Sequence, residues 1–341
     1  MANDYWQKRY ERILDESFQK ATLTDEEIKK QYARALRRME KAINDWYRRF
    51  ANENGITLQD ARKLLDKYEM KAFKMDLKEF EKEAKQFGMS KEHQQMLSNA
   101  SIRERLSREQ MLYINMVHEI EVMAHSQNVS VKNMLDDVYR SSVYKSAYTA
   151  QTQRGTYSMI NSIDGKRVDS VVNSQWANDG QDFSSRIWND KVKLVANLQN
   201  DFTQALMIGQ GADTMADNLS KRMKTSYSNA KRLVETEIAR VHEQGFLDSM
   251  AELDVDKLEI LATLDSHTSP ICRRMDRKIV RRVDAKPGVT VPPFHCYCRS
   301  TTIPYIEGLD GETRTGRNKD NKSTDYDGAI SYEEWEKKYI N

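Results

Sequence analysis

The sequence predicts a mainly α-helical protein that ends in a small α+β module, in which short strands surround a Cys/His motif. Two observations carry this prediction. None of the five prolines and none of the three cysteines lies in the first 269 of the 341 residues, and proline inside a helix costs about 3 kcal/mol. Apolar residues also recur at helical spacing through most of that stretch. We therefore expect long amphipathic helices followed by a compact, turn-rich module.

The first region, residues 1–152, is expected to be a helical region. Thr24 followed by Glu27 is typical of a capping box and predicts that a new helix begins there. That helix carries about one apolar residue per turn from Ile28 to Phe50, a narrow stripe suited to packing against another helix. Shorter amphipathic segments are expected at roughly 58–74, 76–87, 91–99, 107–126 and 130–152.

The second region, residues 153–306, begins with a weakly periodic stretch that we interpret as a loop-rich connection with one short strand. Helices are expected next, at about 184–208, 213–223 and 227–252. The hydrophobic period then changes to two, which predicts strands at 258–265, 278–284 and 301–306. The third region, residues 307–341, is expected to be a flexible tail with a short helix near 331–339.

Composition and charge exclude several classes of protein. No stretch approaches the ~18 apolar residues of a membrane-spanning helix, and the charged first residues contain no apolar segment typical of a secretory signal. The 16 tyrosines, 9 phenylalanines and 5 tryptophans argue against wholesale disorder. Because 54 basic and 52 acidic residues leave a net charge of only +2, nucleic-acid binding would have to come from a local patch.

The most specific group of residues is Cys272, His295, Cys296 and Cys298. Sulfur and nitrogen donors brought back by a Pro-Pro turn are typical of a structural zinc site, which favours four tetrahedral ligands. In the alternative interpretation the cysteines are small buried residues and His295 forms a hydrogen bond in a turn. A disulfide is not expected, because three cysteines cannot all pair and the chain is expected in a reducing cytosol. Zinc and no zinc therefore both remain open.

The same segment is basic, since residues 270–300 contain eight basic and two acidic side chains. Such a patch could bind the phosphate backbone of double-stranded DNA without reading its sequence. The candidate DNA-binding residues are Arg273, Arg274, Arg277, Lys278, Arg281 and Arg282. The alternative is a solvated edge strand whose charges prevent aggregation.

Two stretches resemble the minor head protein family of tailed bacteriophages, whose shared part is the Mu-F-like head morphogenesis domain. The first stretch, NAKRLVETEIARVHEQGF at 229–246, contains the motif residues Thr236, Glu237 and Arg240. The second stretch, residues 264–305, contains the matching residues Asp265, Ser266, Thr268, Cys272, Pro292, Pro293, His295, Cys298 and Arg299. The fuller family pattern has outer cysteines where this chain has Ser269 and Ser300. A fourth zinc ligand would therefore have to be Cys296, Asp265 or His267.

The resemblance implies a minor capsid protein inside the phage head, which is present in the host cytoplasm during assembly. Implied partners are the portal protein, the scaffold or major capsid protein, and double-stranded DNA during packaging or ejection. The resemblance does not imply an enzyme. Some relatives carry an ADP-ribosyltransferase domain after the shared motif, whereas only 35 residues follow residue 306 here.

Two alternative functions can be compared with the motifs that the sequence contains: a zinc-dependent hydrolase or nuclease, and a zinc-stapled DNA-binding protein. A zinc-dependent hydrolase or nuclease would need paired histidines, but His118 and His125 lie seven residues apart, about 10 Å along a helix. We expect both on a helix surface. A zinc-stapled DNA-binding protein would need a recognition helix after His295, where the sequence instead predicts a strand.

Overall fold

The structure is a computed structural model that describes residues 3–50, 58–177, 179–305, 313–317, 323–327 and 330–339. The helices are α1 (Asn3–Phe50), α2 (Leu58–Arg62), α3 (Lys67–Gln86), α4 (Lys91–Ile102), α5 (Arg108–Arg154), α6 (Gly165–Val172), α7 (Phe183–Met207), α8 (Ala212–Glu252), α9 (Pro270–Met275) and α10 (Tyr332–Tyr339). The strands are β1 (Lys257–Leu261), β2 (Ile279–Arg281), β3 (Thr301–Pro304), β4 (Thr313–Arg317) and β5 (Ser323–Asp327). The predicted fold class, long helices followed by a small α+β module, is confirmed.

The chain forms two compact units, each built from segments that are distant in sequence. Unit 1 comprises residues 1–24, 131–183 and 232–341, and unit 2 comprises residues 25–130 and 184–231. The predicted regions 1–152, 153–306 and 307–341 follow one another along the chain, whereas α1, α5 and α8 each contribute to both units. The described helices contain no stretch apolar enough to cross a membrane.

Three helices are longer than the sequence predicts. Helix α1 runs for 48 residues, α5 for 47 and α8 for 41, without the expected interruptions. Serine and threonine residues in the sequence favour helix ends, because their hydroxyl groups can cap a helix. The same hydroxyl groups can instead donate to a backbone carbonyl inside a helix, as Thr225 Oγ1 does to the Lys221 carbonyl at 3.1 Å. Glu27 does not reach back to form a capping box but accepts a hydrogen bond from Ser130 at 2.9 Å. The predicted boundary at Thr24 is therefore wrong.

The connection between α5 and α7 contains the short helix α6 instead of the predicted strand. Asp164 caps α6, because its carboxylate accepts a hydrogen bond from the Arg167 backbone N–H at 2.7 Å. Across the described residues 156–177 there is no strand.

The module after α8 is built on an antiparallel sheet with the strand order β2-β1-β3. Leu258 lies opposite Val280 on one side and Pro304 on the other. The three strands confirm the predicted ones, although each is shorter. Leu258 and Ile303 are buried in one apolar core with Phe246 of α8, so the sheet packs on the last turns of that helix.

Part of the predicted flexible tail is ordered. Strands β4 and β5 pair in antiparallel register, and α10 confirms the predicted short helix. Tyr332 and Trp335 are fully buried in a cluster with Leu264, and the Tyr332 hydroxyl donates to the Asp265 carbonyl at 2.7 Å. The prediction of a flexible tail is wrong for these elements, and the rest of 307–341 lies outside the described residues.

Helices α5 and α8 approach closely at Gly245 in unit 1. A Cβ atom there would lie 2.9 Å from Ser142 Cβ and 3.0 Å from the Tyr139 carbonyl oxygen. One turn away, His242 Nδ1 lies 3.0 Å from Ser142 Oγ and 3.1 Å from Ser17 Oγ of α1. Burial lowers the pKa of His242 to about 4, so a neutral imidazole joins the three helices near neutral pH.

Changing Gly245→Ala should destabilise the protein by about 1–3 kcal/mol, because the added methyl group overlaps α5. The free energy of unfolding in urea measures the effect. Gly165→Ala is the matched control, since nothing lies within 4 Å of its added Cβ, and it should be neutral or slightly stabilising. Equal free energies for the two variants would contradict the close approach of α5 and α8.

Candidate functional site

The first motif, on α8, centres on a buried ion pair. Arg240 Nε donates to Glu237 Oε2 at 2.8 Å, and both side chains are 2% exposed. The spacing of three residues places both on the same face of the helix. An unpaired charge at this depth would be strongly destabilising, so each residue requires the other.

The Arg240 guanidinium also closes the C-terminal end of α6. Nη1 donates to the Val171 carbonyl and to Ser174 Oγ, both at 2.8 Å, and Nη2 donates to the Val172 carbonyl at 3.1 Å. The last carbonyl groups of a helix favour a cation because they form the negative end of its dipole. The third motif residue, Thr236, donates to the Arg232 carbonyl of its own helix at 2.7 Å.

Trp176 connects this ion pair to the turn that precedes Pro292. Its indole N–H donates to Glu237 Oε1 at 3.0 Å, the carboxylate oxygen that Arg240 Nε leaves open. Its ring covers Gly288, where a Cβ would lie 3.0 Å from Trp176 Cζ3. The φ of Gly288 is +84°, a left-handed conformation that favours glycine. Trp176 is not among the predicted site residues, because its sequence signal is only that of a large aromatic residue in a polar, weakly periodic stretch.

Asp265 organises the second motif. Arg299 donates to both carboxylate oxygens, at 2.5 and 2.9 Å. The Thr268 hydroxyl and the His267 backbone N–H also donate to the carboxylate, at 3.1 and 2.9 Å. Burial alone would raise the pKa of Asp265, but the hydrogen bonds and charge of Arg299 outweigh it and hold that pKa below its usual value. Ser266 is exposed.

Cys272, His295 and Cys298 form a compact donor group. Cys272 Sγ lies 3.1 Å from His295 Nε2 and 3.7 Å from Cys298 Sγ. One donor atom from each residue lies within 4.8 Å of the other two. Two sulfur ligands about 2.3 Å from a tetrahedral zinc ion are about 3.8 Å apart. The distance between the sulfur atoms therefore fits a metal centre.

Local structure holds the three donor side chains close together. Cys272 lies on α9, whose N-terminus is capped by Ser269. Pro292 and Pro293, joined by a cis peptide bond, precede His295 in the loop that returns to α9. His295 Nδ1 lies 2.7 Å from the Cys296 carbonyl oxygen, which places the proton on Nδ1 and leaves Nε2 to face Cys272. Metal-binding histidines are commonly held in this way.

The fourth predicted ligand, Cys296, is not part of this group. Its thiol is exposed, and only its backbone carbonyl takes part. Asp265 is bound by Arg299, and His267 is exposed. Within the described residues the donor group has three members, and the structure does not bring the Cys296 thiol into it.

The two buried thiols share one hydrogen bond. This bond lowers the pKa of Cys298 to about 6 and raises the pKa of Cys272 above its usual value. Cys298 is therefore largely a thiolate near neutral pH, the form that binds a metal. Two sulfur donors and an imidazole nitrogen suit zinc. The residues present fit the predicted metal in sulfur–sulfur distance and in chemistry, and they supply three of the four ligands of a tetrahedral zinc ion.

The six candidate DNA-binding residues do not form one free basic surface. Three of them lie in ion pairs: Arg273–Glu336 at 2.5 Å, Arg277–Glu259 at 2.7 Å and Arg281–Asp284 at 2.6 Å. Arg282 Nε donates to the Val255 carbonyl at 2.9 Å. Arg274 and Lys278 are exposed. Internal partners thus neutralise half of the charge that the sequence offers to phosphate groups.

The histidine expected on a helix surface, His118, is buried instead. Its Nε2 lies 2.9 Å from Glu83 Oε2 and its Nδ1 lies 3.1 Å from His93 Nε2. Burial lowers the pKa of His93 to about 3 and also lowers the pKa of His118. The cluster lies within unit 2, and His118 belongs to no group that could hold a metal among the described residues.

Glu243 is a second buried acidic residue of α8 that sequence analysis missed. The Thr302 hydroxyl of β3 donates to its carboxyl group at 2.5 Å. Burial raises the pKa of Glu243 to about 8, so the group is mostly protonated at neutral pH. This contact joins α8 to β3 without a buried charge. A single acidic residue in a helical pattern carries no sequence signal of such a role.

Comparison with known proteins identifies relatives for part of the chain. Residues 196–303 match the family described as Phage Mu protein F like protein. The chain is 32% identical over 162 residues to Minor head protein GP7 of Bacillus phage SPP1, an alignment covering 43% of this chain and 52% of that protein. These matches confirm the resemblance to phage minor head proteins that the motifs predict. No solved structure is significantly similar to the chain.

A further relative is NAD(+)--arginine ADP-ribosyltransferase EFV of Enterococcus faecalis (strain ATCC 700802 / V583). It is 28% identical over 204 residues, which cover 55% of this chain and 40% of that protein. The chain thus spans about half or less of the length of the relatives it matches.

Changing Arg240→Met should destabilise the protein by about 3–5 kcal/mol, because it leaves the Glu237 carboxylate buried without its cation. Urea unfolding followed by circular dichroism measures this loss. Arg48→Met is the matched control, since the Asp45–Arg48 pair has the same spacing but side chains 45% and 80% exposed. The control should unfold like the wild type, and an equally small loss for Arg240→Met would mean that the buried pair is dispensable.

Proposed function

We propose that this chain, which carries the Phage Mu protein F like segment of the phage minor head proteins, is a minor capsid protein inside the phage head. One observation above all supports this. The motif residues Glu237, Arg240, Asp265 and Arg299 are engaged with one another in buried or part-buried networks. Because these charged groups are paired with each other, their role is to fix the positions of helices and loops. Such a role suits a protein that assembles with other proteins, and it does not involve catalysis.

The motif network also supports a surface for a partner protein. Arg240 holds the end of α6, and the segment before α6 is tied down by hydrogen bonds from the Asn161 backbone N–H to Glu252 at 3.0 Å and from the Ile163 backbone N–H to Tyr144 at 3.2 Å. Further along, Gln151 bonds to both backbone groups of Ser158. Side chains of α5 and α8 therefore hold the backbone of this segment in place through these hydrogen bonds.

Two large apolar side chains project from this tethered segment. Tyr157 is 65% exposed and Met159 is 99% exposed. Aromatic and methionine side chains are enriched in protein interfaces, and a segment that is already ordered loses little entropy on binding. We assign this segment to the contact with the portal protein, formed in the host cytoplasm during assembly. Contacts with the scaffold or major capsid protein would use other surfaces.

Packaged DNA is the second proposed partner, and through it the protein would assist packaging or ejection. In the C-terminal module Arg274 and Lys278 are exposed, whereas Arg273, Arg277 and the exposed Arg281 are held in ion pairs. Contacts from such side chains to phosphates do not depend on base sequence.

We also propose that Cys272, His295 and Cys298 hold a structural zinc ion. Bound zinc would cross-link α9 to the loop after Pro293. Such a cross-link would stabilise the C-terminal module, whose three-stranded sheet has strands of only 3–5 residues. Two of the three donors are buried, which suits a structural metal better than a hydrolytic one that substrate must reach. We therefore propose that the zinc ion at this site is structural. We prefer this role to that of a zinc-dependent hydrolase or nuclease, and to that of a zinc-stapled DNA-binding regulator.

Native mass spectrometry of the purified chain should find about one zinc ion per chain. Cys298→Ser should remove it, whereas Cys296→Ser should keep it because that thiol is exposed and outside the donor group. A chelator should lower the melting temperature of the wild type and of Cys296→Ser, but not of Cys298→Ser. Loss of zinc in Cys296→Ser alone would reverse the assignment of ligands.

Affinity purification of the chain co-expressed with its portal protein should recover a complex. Changing Tyr157→Ser together with Met159→Ser should weaken the complex at least about tenfold, as loss of central apolar contacts does. Met207→Ser with Ile208→Ser is the matched control, since those side chains are 61% and 70% exposed at the C-terminal end of α7. Absence of a complex, or equal weakening by both pairs, would count against the assignment.

A further inference from the structure

Helix α3 presents six lysines as a ladder along one side. The α3 ladder consists of Lys67, Lys71, Lys74, Lys78, Lys82 and Lys85. Each lysine is three or four residues from the next, the spacing that makes side chains neighbours on a helix. Five of the six are exposed and Lys74 is half-buried. At 1.5 Å per residue the ladder is about 27 Å long.

Three of the five acidic residues of α3, Glu69, Asp76 and Glu83, have no ladder lysine three or four positions away. Glu69 accepts the Asp66 backbone N–H as part of a capping box and pairs with Arg108, and Glu83 bonds to His118. Glu79 and Glu81 are the acidic residues spaced three or four positions from a ladder lysine. In the described parts of the chain, none of the six lysines takes part in an ion pair, in contrast to Arg273 and Arg277 of the C-terminal module.

Such a ladder opposes helix stability, because like charges three or four residues apart repel. A solvated helix face usually alternates the two signs, which adds attraction between neighbours. Within α3, Lys67, Lys71 and Lys74 have no acidic residue three or four positions away, and the acidic neighbours at that spacing adjoin the last three lysines of the ladder. A polyanion lying along the ladder would remove this repulsion.

The apolar side of α3 is already used within the protein. Met70, Phe73, Leu77 and Ala84 are buried. The large apolar side chains exposed on α3 are Tyr68, 84% exposed, and Met75, 66% exposed. A helix that lies in a membrane surface needs a broad apolar face free to enter the lipid. The ladder therefore fits the phosphates of a nucleic acid better than a lipid surface.

We propose that the α3 ladder binds the phosphate backbone of duplex DNA without sequence preference. The inference deepens the DNA contact proposed above, on which it rests, by naming a second surface in unit 2. A duplex rises about 3.4 Å per base pair, so the ladder spans about eight base pairs. Lysine acts as a mobile point charge, which suits contacts to phosphates and not to base edges.

The test is the salt dependence of binding to a random-sequence duplex of about 30 base pairs, followed by fluorescence anisotropy between about 50 and 200 mM NaCl. The ladder variant combines Lys71→Gln, Lys78→Gln, Lys82→Gln and Lys85→Gln, since glutamine keeps a high helix propensity. The control combines Lys29→Gln, Lys41→Gln, Lys221→Gln and Lys224→Gln, four exposed lysines of the same unit. Both variants lose the same charge.

The ladder variant should bind at least about tenfold more weakly, with a slope of log K against log salt that is smaller by about 3 to 4. The control should stay within about twofold of the wild type, because its lysines lie elsewhere. The melting temperature of the ladder variant should be unchanged or higher, since the repulsion has been removed. Weaker binding together with undiminished stability would exclude misfolding as its cause.

Equal weakening by both variants, or none by either, would overturn the ladder as a specific surface. A third variant, Arg274→Gln with Lys278→Gln, that alone abolishes binding would assign the contact to the C-terminal module and overturn the ladder. Tighter binding to vesicles with about 30% anionic lipid than to DNA would identify a lipid surface instead. The portal complex is measured separately, so its absence with DNA binding intact would reject that contact and leave the ladder standing.

Discussion

Burial of the Arg240 guanidinium sets the constraint under which much of unit 1 is built. Its side chain is 2% exposed, so acceptors must meet its N–H groups from several directions. Glu237 supplies a carboxylate, and the end of α6 supplies carbonyl groups. Trp176 then takes the second oxygen of Glu237 and covers Gly288. One buried cation thereby fixes α6, α8 and the turn before Pro292 together.

The C-terminal module depends on polar cross-links because its elements are too short to bury a large core. Asp265 ties Arg299 to its own turn, and the Tyr332 hydroxyl of α10 adds a bond to the same residue. Cys272, His295 and Cys298 meet nearby, where α9 faces the returning loop. A metal at that group would add one more cross-link to a region already organised by hydrogen bonds. The site and the family motif are thus two parts of one small scaffold.

A net charge near zero conceals two different uses of positive residues. Some arginines bind several acceptors of the protein at once through a planar guanidinium, as the buried Arg240 and the exposed Arg299 do. The lysines of α3 remain at the surface, because an ammonium group is strongly hydrated and costly to bury. The same chain can therefore be rigid through its arginines and bind anions through its lysines. Counting basic residues along the sequence does not separate these roles.

Local pattern in the sequence determined the helical class, the three short strands, the Cys/His group and the family motifs, because each depends on residues close in the chain. Tertiary structure decided the rest. Whether Thr24 ends a helix depends on packing around it, and α1 continues through it. Acidic residues distant in sequence, such as Glu336, decide which basic side chains are held in ion pairs. The loop that places Cys298 beside Cys272 decides which of the cysteines are buried in the donor group. Contacts between distant segments cannot be read from local periodicity, because the chain returns to them only when it folds.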